Sequence, residues 1–312
     1  MLLASGLTLT SGITIVPPPE NYGYWASGST GTANTNVYRI AFSNDTTSST
    51  RGTIAFAALN ASGTGNSNFG YWGGGRGVSS IFRITFITDT DAGLRRSSLS
   101  AARYNIGTVT DGSNFGWFGG GTEFPTMFSL VDRITYSNDT TTASVRGPLT
   151  FGRFGLVGVN TSSFGWFTGG RVVAPPTIAN YSTVDRVTFA TDTATAGVRG
   201  PLTAVVYMHG GTGNADFGWL TGGRSPAVSS VNRIQYSTDT VTASLRGSFS
   251  RTRHQAAGTG DTAYGWFGGG YAGSMTSDVD RIDYASDTST PAIRGVLPAA
   301  VYYRDSATTG TF

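Results

Sequence analysis

Residues 115–147 read FGWFGGGTEFPTMFSLVDRITYSNDTTTASVRG, and this stretch holds three motifs that recur along the chain. The first motif places an aromatic residue, a glycine, a second aromatic residue and an apolar residue in a row. It occurs six times, with central glycines Gly23, Gly70, Gly116, Gly165, Gly218 and Gly265. Successive glycines are 47, 46, 49, 53 and 47 residues apart. Self-similarity at such a period indicates a repeat architecture.

Two arginine motifs keep the same register as the aromatic motif. The V-x-R motif contributes Arg39, Arg83, Arg133, Arg186, Arg233 and Arg281, and the Arg-Gly motif contributes Arg51, Arg95, Arg146, Arg199, Arg246 and Arg294. An Asp-Thr step lies between them, with Asp45, Asp89, Asp139, Asp192, Asp239 and Asp287. These groups could form an anion- or sugar-binding array. One copy per repeat favours a repeated ion pair or arginine–aromatic stack between repeats.

Each repeat predicts four short strands. The aromatic motif is rich in residues that favour strands, and it stops at glycines that can adopt positive φ. The V-x-R segment alternates in the manner of a strand, and the Asn-Asp-Thr step is a turn signal. Four strands in about 48 residues match one blade of a propeller. We therefore predict an all-β, six-bladed β-propeller with four antiparallel strands per blade, forming a single domain over residues 21–312.

The two ends of the repeat array predict how the ring closes. The array begins with the second-strand motif at Tyr22, whereas it ends with a first-strand segment at residues 296–303. Each end therefore has the strand that the other end needs. We expect residues 296–303 to pair with the strand at residues 22–26, so that the C-terminal strand closes the ring and no edge stays open.

Residues 1–20 have no counterpart in the repeat. Their alternating apolar residues and the run Pro17-Pro18-Pro19 predict an N-terminal arm that anchors the ring to an identical subunit or another protein. The segment has no basic n-region, so we do not interpret it as a signal peptide. No stretch of about 18 apolar residues occurs, and no membrane insertion is expected.

Composition narrows the classes of function. All 21 basic residues are arginines, and Glu20 and Glu123 are the only glutamates, so helix-favouring charged residues are scarce. The net charge of +3 includes no basic run, which gives no reason to expect nucleic-acid binding. The chain has no cysteine, and its glycine runs lack the lysine of a phosphate-binding loop. His209 and His254 stand in different repeat registers. We expect no catalytic, cofactor or metal site, and we do not expect an enzyme.

The order of these motifs resembles the kelch repeat, in which a double glycine ends the second strand of a blade. The chain departs from that pattern on the fourth strand, where the arginine of Arg-Gly replaces the kelch tryptophan. Over about residues 20–312 the repeats also resemble those of structural proteins of marine tailed bacteriophages, notably cyanophages. This resemblance implies a virion protein that acts in host attachment through protein–protein contacts, such as a tail fibre, an appendage or a decoration protein. The alternative is a carbohydrate-binding propeller, on the particle or secreted, with aromatic-lined pockets between blades that recognise a cell-surface glycan.

Two groups of variable residues are candidate binding positions. In kelch-like propellers the first strand lines the central channel, where the pairs Arg103-Tyr104, Arg153-Phe154 and Arg253-His254 would place three arginines around the mouth. The same residues could instead be ordinary polar groups of a solvated channel. The longest insert, residues 171–182, begins with Arg171 and carries Val172, Val173, Pro175 and Pro176. Exposed apolar loop residues of this kind often mark a protein contact.

Overall fold

The computed structural model describes residues 21–26, 28–55, 60–90, 92–224, 227–302 and 307–309, with the backbone alone at 46–47 and 307–309. These residues form an all-β propeller with six blades of four antiparallel strands, as the repeat predicts. The predicted arm at residues 1–20 lies outside the described residues. Within the described ranges the helical segments are single 3-10 turns, and none is long and apolar enough to cross a membrane.

The strands follow the repeat along the chain. In order they are β1 (Tyr22–Trp25), β2 (Asn36–Ala41), β3 (Asn44–Thr53), β4 (Ser62–Gly65), β5 (Phe69–Gly73), β6 (Ser80–Thr85), β7 (Leu94–Ser98), β8 (Gly107–Thr110), β9 (Phe115–Gly119), β10 (Thr122–Glu123), β11 (Thr126–Met127), β12 (Val131–Thr135), β13 (Ser144–Arg146), β14 (Val157–Asn160), β15 (Phe164–Thr168), β16 (Arg171–Ala174), β17 (Thr177–Asn180), β18 (Val184–Thr188), β19 (Gly197–Arg199), β20 (Gly210–Gly213), β21 (Phe217–Thr221), β22 (Ser230–Gln235), β23 (Ser244–Ser248), β24 (Ala257–Gly260), β25 (Tyr264–Gly268), β26 (Asp278–Asp283), β27 (Ala292–Val296) and β28 (Ala307–Thr309). The 3-10 turns are Phe86–Thr88, Tyr136–Asn138, Phe189–Thr191, Tyr236–Thr238 and Tyr284–Ser286.

Blade 3 shows the plan of every blade. Strand β8 is innermost, β9 carries the aromatic motif, β12 carries the V-x-R motif, and β13 is outermost. By the same order, blade 1 holds β28 and β1–β3, blade 2 β4–β7, blade 4 β14, β15, β18 and β19, blade 5 β20–β23 and blade 6 β24–β27. Strand β9 ends where Gly120 and Gly121 take φ of 70° and 99°, a region that favours glycine.

The two faces of the ring differ because the strands alternate in direction. The turn face carries the turns between the innermost and second strands, such as residues 111–114. The glycine-loop face carries the glycine turns, such as residues 119–121, and the hairpins β10–β11 and β16–β17. The connections from each outermost strand to the next innermost strand also pass over the glycine-loop face.

The ring is closed by a C-terminal strand, as expected, but the strand is not at the predicted position. Strand β28 pairs antiparallel with β1, placing Ala307 opposite Trp25. The predicted pairing of residues 296–303 with residues 22–26 is wrong, since Val296 ends the outermost strand of blade 6. A parallel pairing of Val296 with Thr47 then joins blades 6 and 1 into one eight-stranded sheet.

The core lies between neighbouring blades. Trp117 and Phe118 alternate on β9, so that Phe118 packs against Ile81 of blade 2 while Trp117 packs toward blade 4. Both side chains are fully buried. The two aromatic motif residues therefore pack against opposite neighbouring blades. A buried aromatic side chain of about 150–250 Å² contributes about 4–6 kcal/mol at ~25 cal/mol per Å².

Candidate functional site

An aspartate from each blade interacts with three side chains of the preceding blade, one aromatic donor and two arginines. Asp192 of blade 4 accepts a hydrogen bond from Nε1 of Trp117 at 2.8 Å and another from Nη1 of Arg133 at 3.0 Å. Its Oδ2 also lies 3.6 Å from Nε of Arg146. Trp117 stacks on Phe189 with ring centroids 3.9 Å apart. We name this arrangement the clasp, and it uses one residue from each of the three repeated motifs.

The same clasp occurs at every junction of the ring. Its aspartates are Asp89, Asp139, Asp192, Asp239, Asp287 and, closing blade 6 onto blade 1, Asp45. Each V-x-R guanidinium also stacks on an aromatic ring of its own blade, as Arg133 does at 4.2 Å from the centroid of Phe115. The predicted ion pair between repeats is therefore confirmed, whereas the arginine–aromatic stack forms within each repeat and not between repeats. In blade 2 the outer arginine of the clasp is Arg96, whereas the predicted Arg95 bonds to Ser80.

Tyrosine replaces tryptophan in the clasps of blades 1 and 2. The hydroxyl of Tyr24 donates to Asp89 at 3.1 Å, and that of Tyr71 donates to Asp139 at 3.0 Å. Burial, and then the adjacent carboxylate, raise the pKa of both phenols. Burial opposes ionisation of Asp139, but hydrogen bonds from Arg96 and Tyr71 leave its pKa below the ordinary value. Asp139 therefore remains ionised at neutral pH.

The three arginines expected at the channel mouth are buried inside their blades. Arg103, Arg153 and Arg253 have no exposed surface, and they pair with Asp132, Asp185 and Asp280 at 2.9, 2.8 and 2.6 Å. Each guanidinium also donates to carbonyl oxygens of its own blade at the end of the aromatic strand. Burial lowers the pKa of all three arginines, and the partner carboxylates oppose that shift. Their predicted location is wrong because the blade encloses them.

The residues that follow these arginines come together around the propeller axis. Three of them, Tyr104, Phe154 and His254, are candidates from the sequence. Together with Tyr207 and Tyr302 they surround the axis, and we name these five residues the aromatic crown. Each pairs with a segment at the glycine-loop face, as Phe154 does with Arg171. The rings of Phe154 and Tyr207 lie 6.2 Å apart. Tyr207 and Tyr302 were not candidates because valine precedes them instead of arginine.

A chain of backbone hydrogen bonds holds the crown in place. The described residues next in sequence are Asn105, Gly155, Met208 and Gln255. All four adopt positive φ, and each N–H donates to the carbonyl of its counterpart in the preceding blade. Gly155 donates to Asn105 at 2.9 Å, Met208 to Gly155 at 2.7 Å, and Gln255 to Met208 at 2.8 Å. Positive φ is unfavourable at Met208 and Gln255. The backbone hydrogen bonds between adjacent blades hold these two residues in their unfavourable conformation.

The predicted contact loop forms the hairpin β16–β17 beside the crown. The guanidinium of Arg171 lies 4.9 Å from the ring centroid of Tyr207, and its Nη1 donates to the hydroxyl of Tyr207 at 2.6 Å. Val172 and Val173 are half-buried along the hairpin. Pro175 and Pro176 are exposed in its turn. The hairpin therefore continues the surface of the crown outward over blade 4.

Exposed apolar residues of this hairpin and of blades 3 and 6 extend this surface. Phe124, Ile178 and Tyr271 are 62%, 59% and 39% exposed, and all three lie on segments that follow glycine turns. The glycine-loop face thus combines partly exposed aromatic rings, arginines and apolar tips. The motif tryptophans are buried in the core between blades, so they do not line open pockets there.

The turn face carries a funnel-shaped cavity. This funnel has a volume of about 710 Å³ and is lined by the innermost strands and following turns of five blades. The described lining residues are glycine, threonine, serine, asparagine, alanine, valine and aspartate, without an aromatic or basic side chain. The described part of the chain shows no group of three or more histidine or acidic side chains that could hold a metal ion.

In comparisons with known proteins, no family model matches the chain, and no curated protein gives a significant match. The assignment of a six-bladed propeller consequently rests on the strand pairing and the clasps described above.

Proposed function

We propose that this chain is a non-enzymatic structural or attachment component of a virion, such as a fibre, an appendage or a decoration protein. The observation that carries the proposal is the glycine-loop face. There four of the five crown rings, all but the buried Tyr207, are partly exposed, and they lie on the same face as exposed Phe124 and the Arg171 hairpin with its exposed Ile178. Aromatic residues and arginine are enriched at protein interfaces, and clustered exposed apolar residues mark contact sites.

The clasps suit this function because they make the surface rigid before any partner binds. Six aspartates tie the blades together through eleven arginine hydrogen bonds or close ion pairs and six aromatic donors, with the closing junction at Asp45. A preformed surface loses little conformational entropy on association. A rigid ring with apolar residues exposed on its glycine-loop face is suited to assembly with another virion protein or to attachment to a host.

The assignment to a virion is supported by the repeats themselves. Their amino-acid sequence resembles that of repeats in structural proteins of marine tailed bacteriophages, and the order of their motifs resembles the kelch repeat. In this proposal the arm at residues 1–20 provides a second contact, with an identical subunit or another virion protein. The protein would then connect two components of the particle or carry the contact with the host.

Incorporation into particles tests the proposal. Mass spectrometry of purified virions is expected to detect the wild-type chain. The double variant Phe124→Asp/Ile178→Asp is expected to keep the wild-type thermal midpoint in isolation and to be lost from particles, because it places two charges on the proposed interface. Val241→Asp is the matched control, since Val241 is 62% exposed and lies on the turn face. Absence of the wild-type chain from particles, or normal incorporation of the double variant, would contradict the proposal.

Binding of a cell-surface glycan is the second candidate, and one observation favours it. The rings of His254 and Tyr271 stack with centroids 5.4 Å apart, and Tyr271 is partly exposed on the glycine-loop face. Aromatic faces of this kind can contact the apolar face of a sugar. Binding on a glycan array that is lost in Tyr271→Ala would support this role, and an array without signal would contradict it.

A further inference from the structure

The funnel on the turn face is separate from the surface used in the proposed function. Its volume of about 710 Å³ lies within the range of ~300–1,000 Å³ that is typical of small-ligand sites. An adjoining cavity of about 80 Å³ shares Gly63, Thr108 and Gly258 with the lining of the funnel. A Cβ on Gly258 would collide with the backbone of Gly211 on the neighbouring innermost strand. Only a slender group could enter this smaller cavity.

The repeat supplies an internal comparison at the wall of the funnel. In each described turn, the side-chain oxygen of one residue accepts hydrogen bonds from backbone N–H groups two to four residues ahead. The residues in this position are Asn66, Asp111, Thr161, Asn214 and Asp261. Asparagine and threonine cap the turn as aspartate does. The fold therefore needs an oxygen at this position, and it does not need a negative charge.

Asp111 and Asp261 consequently carry charge that the turn does not use. The capping bonds go to Oδ1, and the described residues donate no hydrogen bond to either Oδ2. Neither carboxylate forms an ion pair within the described ranges, whereas the clasp aspartates each face arginine. Blades 3 and 6 are opposite one another in a six-bladed ring. Two negative charges thus face a cavity whose other described lining residues are neutral and include many hydroxyl groups.

We propose that the funnel binds a slender organic cation, an ammonium or guanidinium group at the end of an alkyl chain. The N–H donors would form charge-assisted hydrogen bonds with Oδ2 of Asp111 or Asp261, and such bonds are stronger than neutral ones. A low-dielectric cleft lined by one sign of charge also concentrates ligands of the opposite sign. The group could belong to a free polyamine or to a lysine or arginine side chain of a partner protein. The proposal does not depend on the docking role of the glycine-loop face.

Calorimetric titration of the full-length protein tests this site with two probes. Spermidine represents a free polyamine, and the peptide acetyl-Gly-Lys-Gly-amide represents a partner's side chain. Asp111→Asn and Asp261→Asn each keep the turn cap, as Asn66 and Asn214 show, so both variants are expected to fold normally. Each is expected to weaken binding about tenfold, which corresponds to ~1.4 kcal/mol, and the double variant about a hundredfold.

The control variant is Asp216→Asn, which removes an exposed charge from the turn face outside the funnel lining. It is expected to bind within about twofold of the wild type, because only screened long-range attraction is lost. Binding of spermidine alone indicates a free ligand, binding of the peptide alone indicates a partner's side chain, and either supports the site. The site is refuted if neither probe binds the wild type, or if the double variant binds as the wild type does. Incorporation into particles is measured separately and is expected to be unchanged in Asp111→Asn and in Asp261→Asn.

Discussion

Arg153 donates from Nη1 to Oδ2 of Asp185 at 2.8 Å, and neither side chain has any exposed surface. Asp185 also accepts hydrogen bonds from the backbone N–H and the hydroxyl of Thr150. In blade 5 the equivalent residues are Val206 and Asn232, and Asn232 accepts the same two bonds from Thr203. The propeller therefore contains both an ionic and a neutral form of one structural unit.

The neutral form predicts how the ionic pair responds to substitution. Arg153→Val or Asp185→Asn alone leaves an unpaired buried charge, which is expected to cost about 3–5 kcal/mol of the free energy of unfolding. The double variant Arg153→Val/Asp185→Asn reproduces blade 5 and is expected to recover most of that loss. Urea unfolding of the four proteins measures the coupling. A double variant that costs as much as the sum of the two single variants would show that the pair is not coupled.

Trp117 offers a second comparison within the ring, because Tyr24 and Tyr71 take its place in two clasps. Trp117→Tyr retains a donor for Asp192, whereas Trp117→Phe leaves the buried carboxylate without that hydrogen bond. Both variants lose similar packing volume. The phenylalanine variant is therefore expected to unfold about 1–3 kcal/mol more easily than the tyrosine variant. Equal midpoints in urea would assign the stability of the clasp to ring stacking and the arginines alone.

His209 predicts a pH dependence of stability. Burial lowers its pKa from 6.5 to about 3. The hydroxyl of Thr168 donates to the carbonyl of Val157, so Nε2–H of His209 donates to Thr168 Oγ1 at 2.8 Å, and the neutral imidazole is the folded form. Below pH 6.5 the unfolded chain takes up a proton that the folded chain takes up only near pH 3. Stability from this group is complete above pH 6.5 and falls by about 1.4 kcal/mol per pH unit between those values.

The measurement compares wild type with His209→Leu, since Leu156 fills the equivalent position in blade 4. Between pH 6.5 and pH 5, where most carboxylates are still ionised, the wild type is expected to lose about 1–2 kcal/mol more than the variant. Parallel curves of unfolding free energy over that interval would mean that His209 is protonated in the folded protein.

The repeat predicts the strand count, the blade number and the clasps because each involves residues at fixed positions in every copy. It does not predict the limits of the innermost strands. The connection after Arg146 buries Leu149 and Leu156, and this apolar pattern resembles a strand although residues 147–156 form none. For the same reason residues 296–303 were assigned the closing role that belongs to β28.

The buried ion pairs had a detectable signal in the sequence. Arginine occurs at positions 103, 153 and 253, and aspartate occurs between the valine and arginine of the V-x-R motif in the same three repeats. The repeat with Val206 has Asn232 there, and the repeat with Val301 has Tyr38. Two positions whose residue types change together from repeat to repeat are expected to be in contact. Three of the five crown residues are candidates from the sequence, whereas Tyr207, Tyr302 and the funnel had no comparable signal, since neighbouring residues around the ring are about 50 positions apart and meet only when the ring closes.

Cysteine labelling in intact particles tests the central proposal, that the glycine-loop face docks a virion partner. The chain has no cysteine, so Phe124→Cys, Ile178→Cys and Val241→Cys each introduce a single thiol, at positions 62%, 59% and 62% exposed. All three are expected to react with a maleimide at similar rates in the isolated protein. In particles the cysteines at positions 124 and 178 are expected to be protected, while the one at position 241 reacts. Labelling at positions 124 and 178 as rapid in particles as in the isolated protein would contradict the proposal.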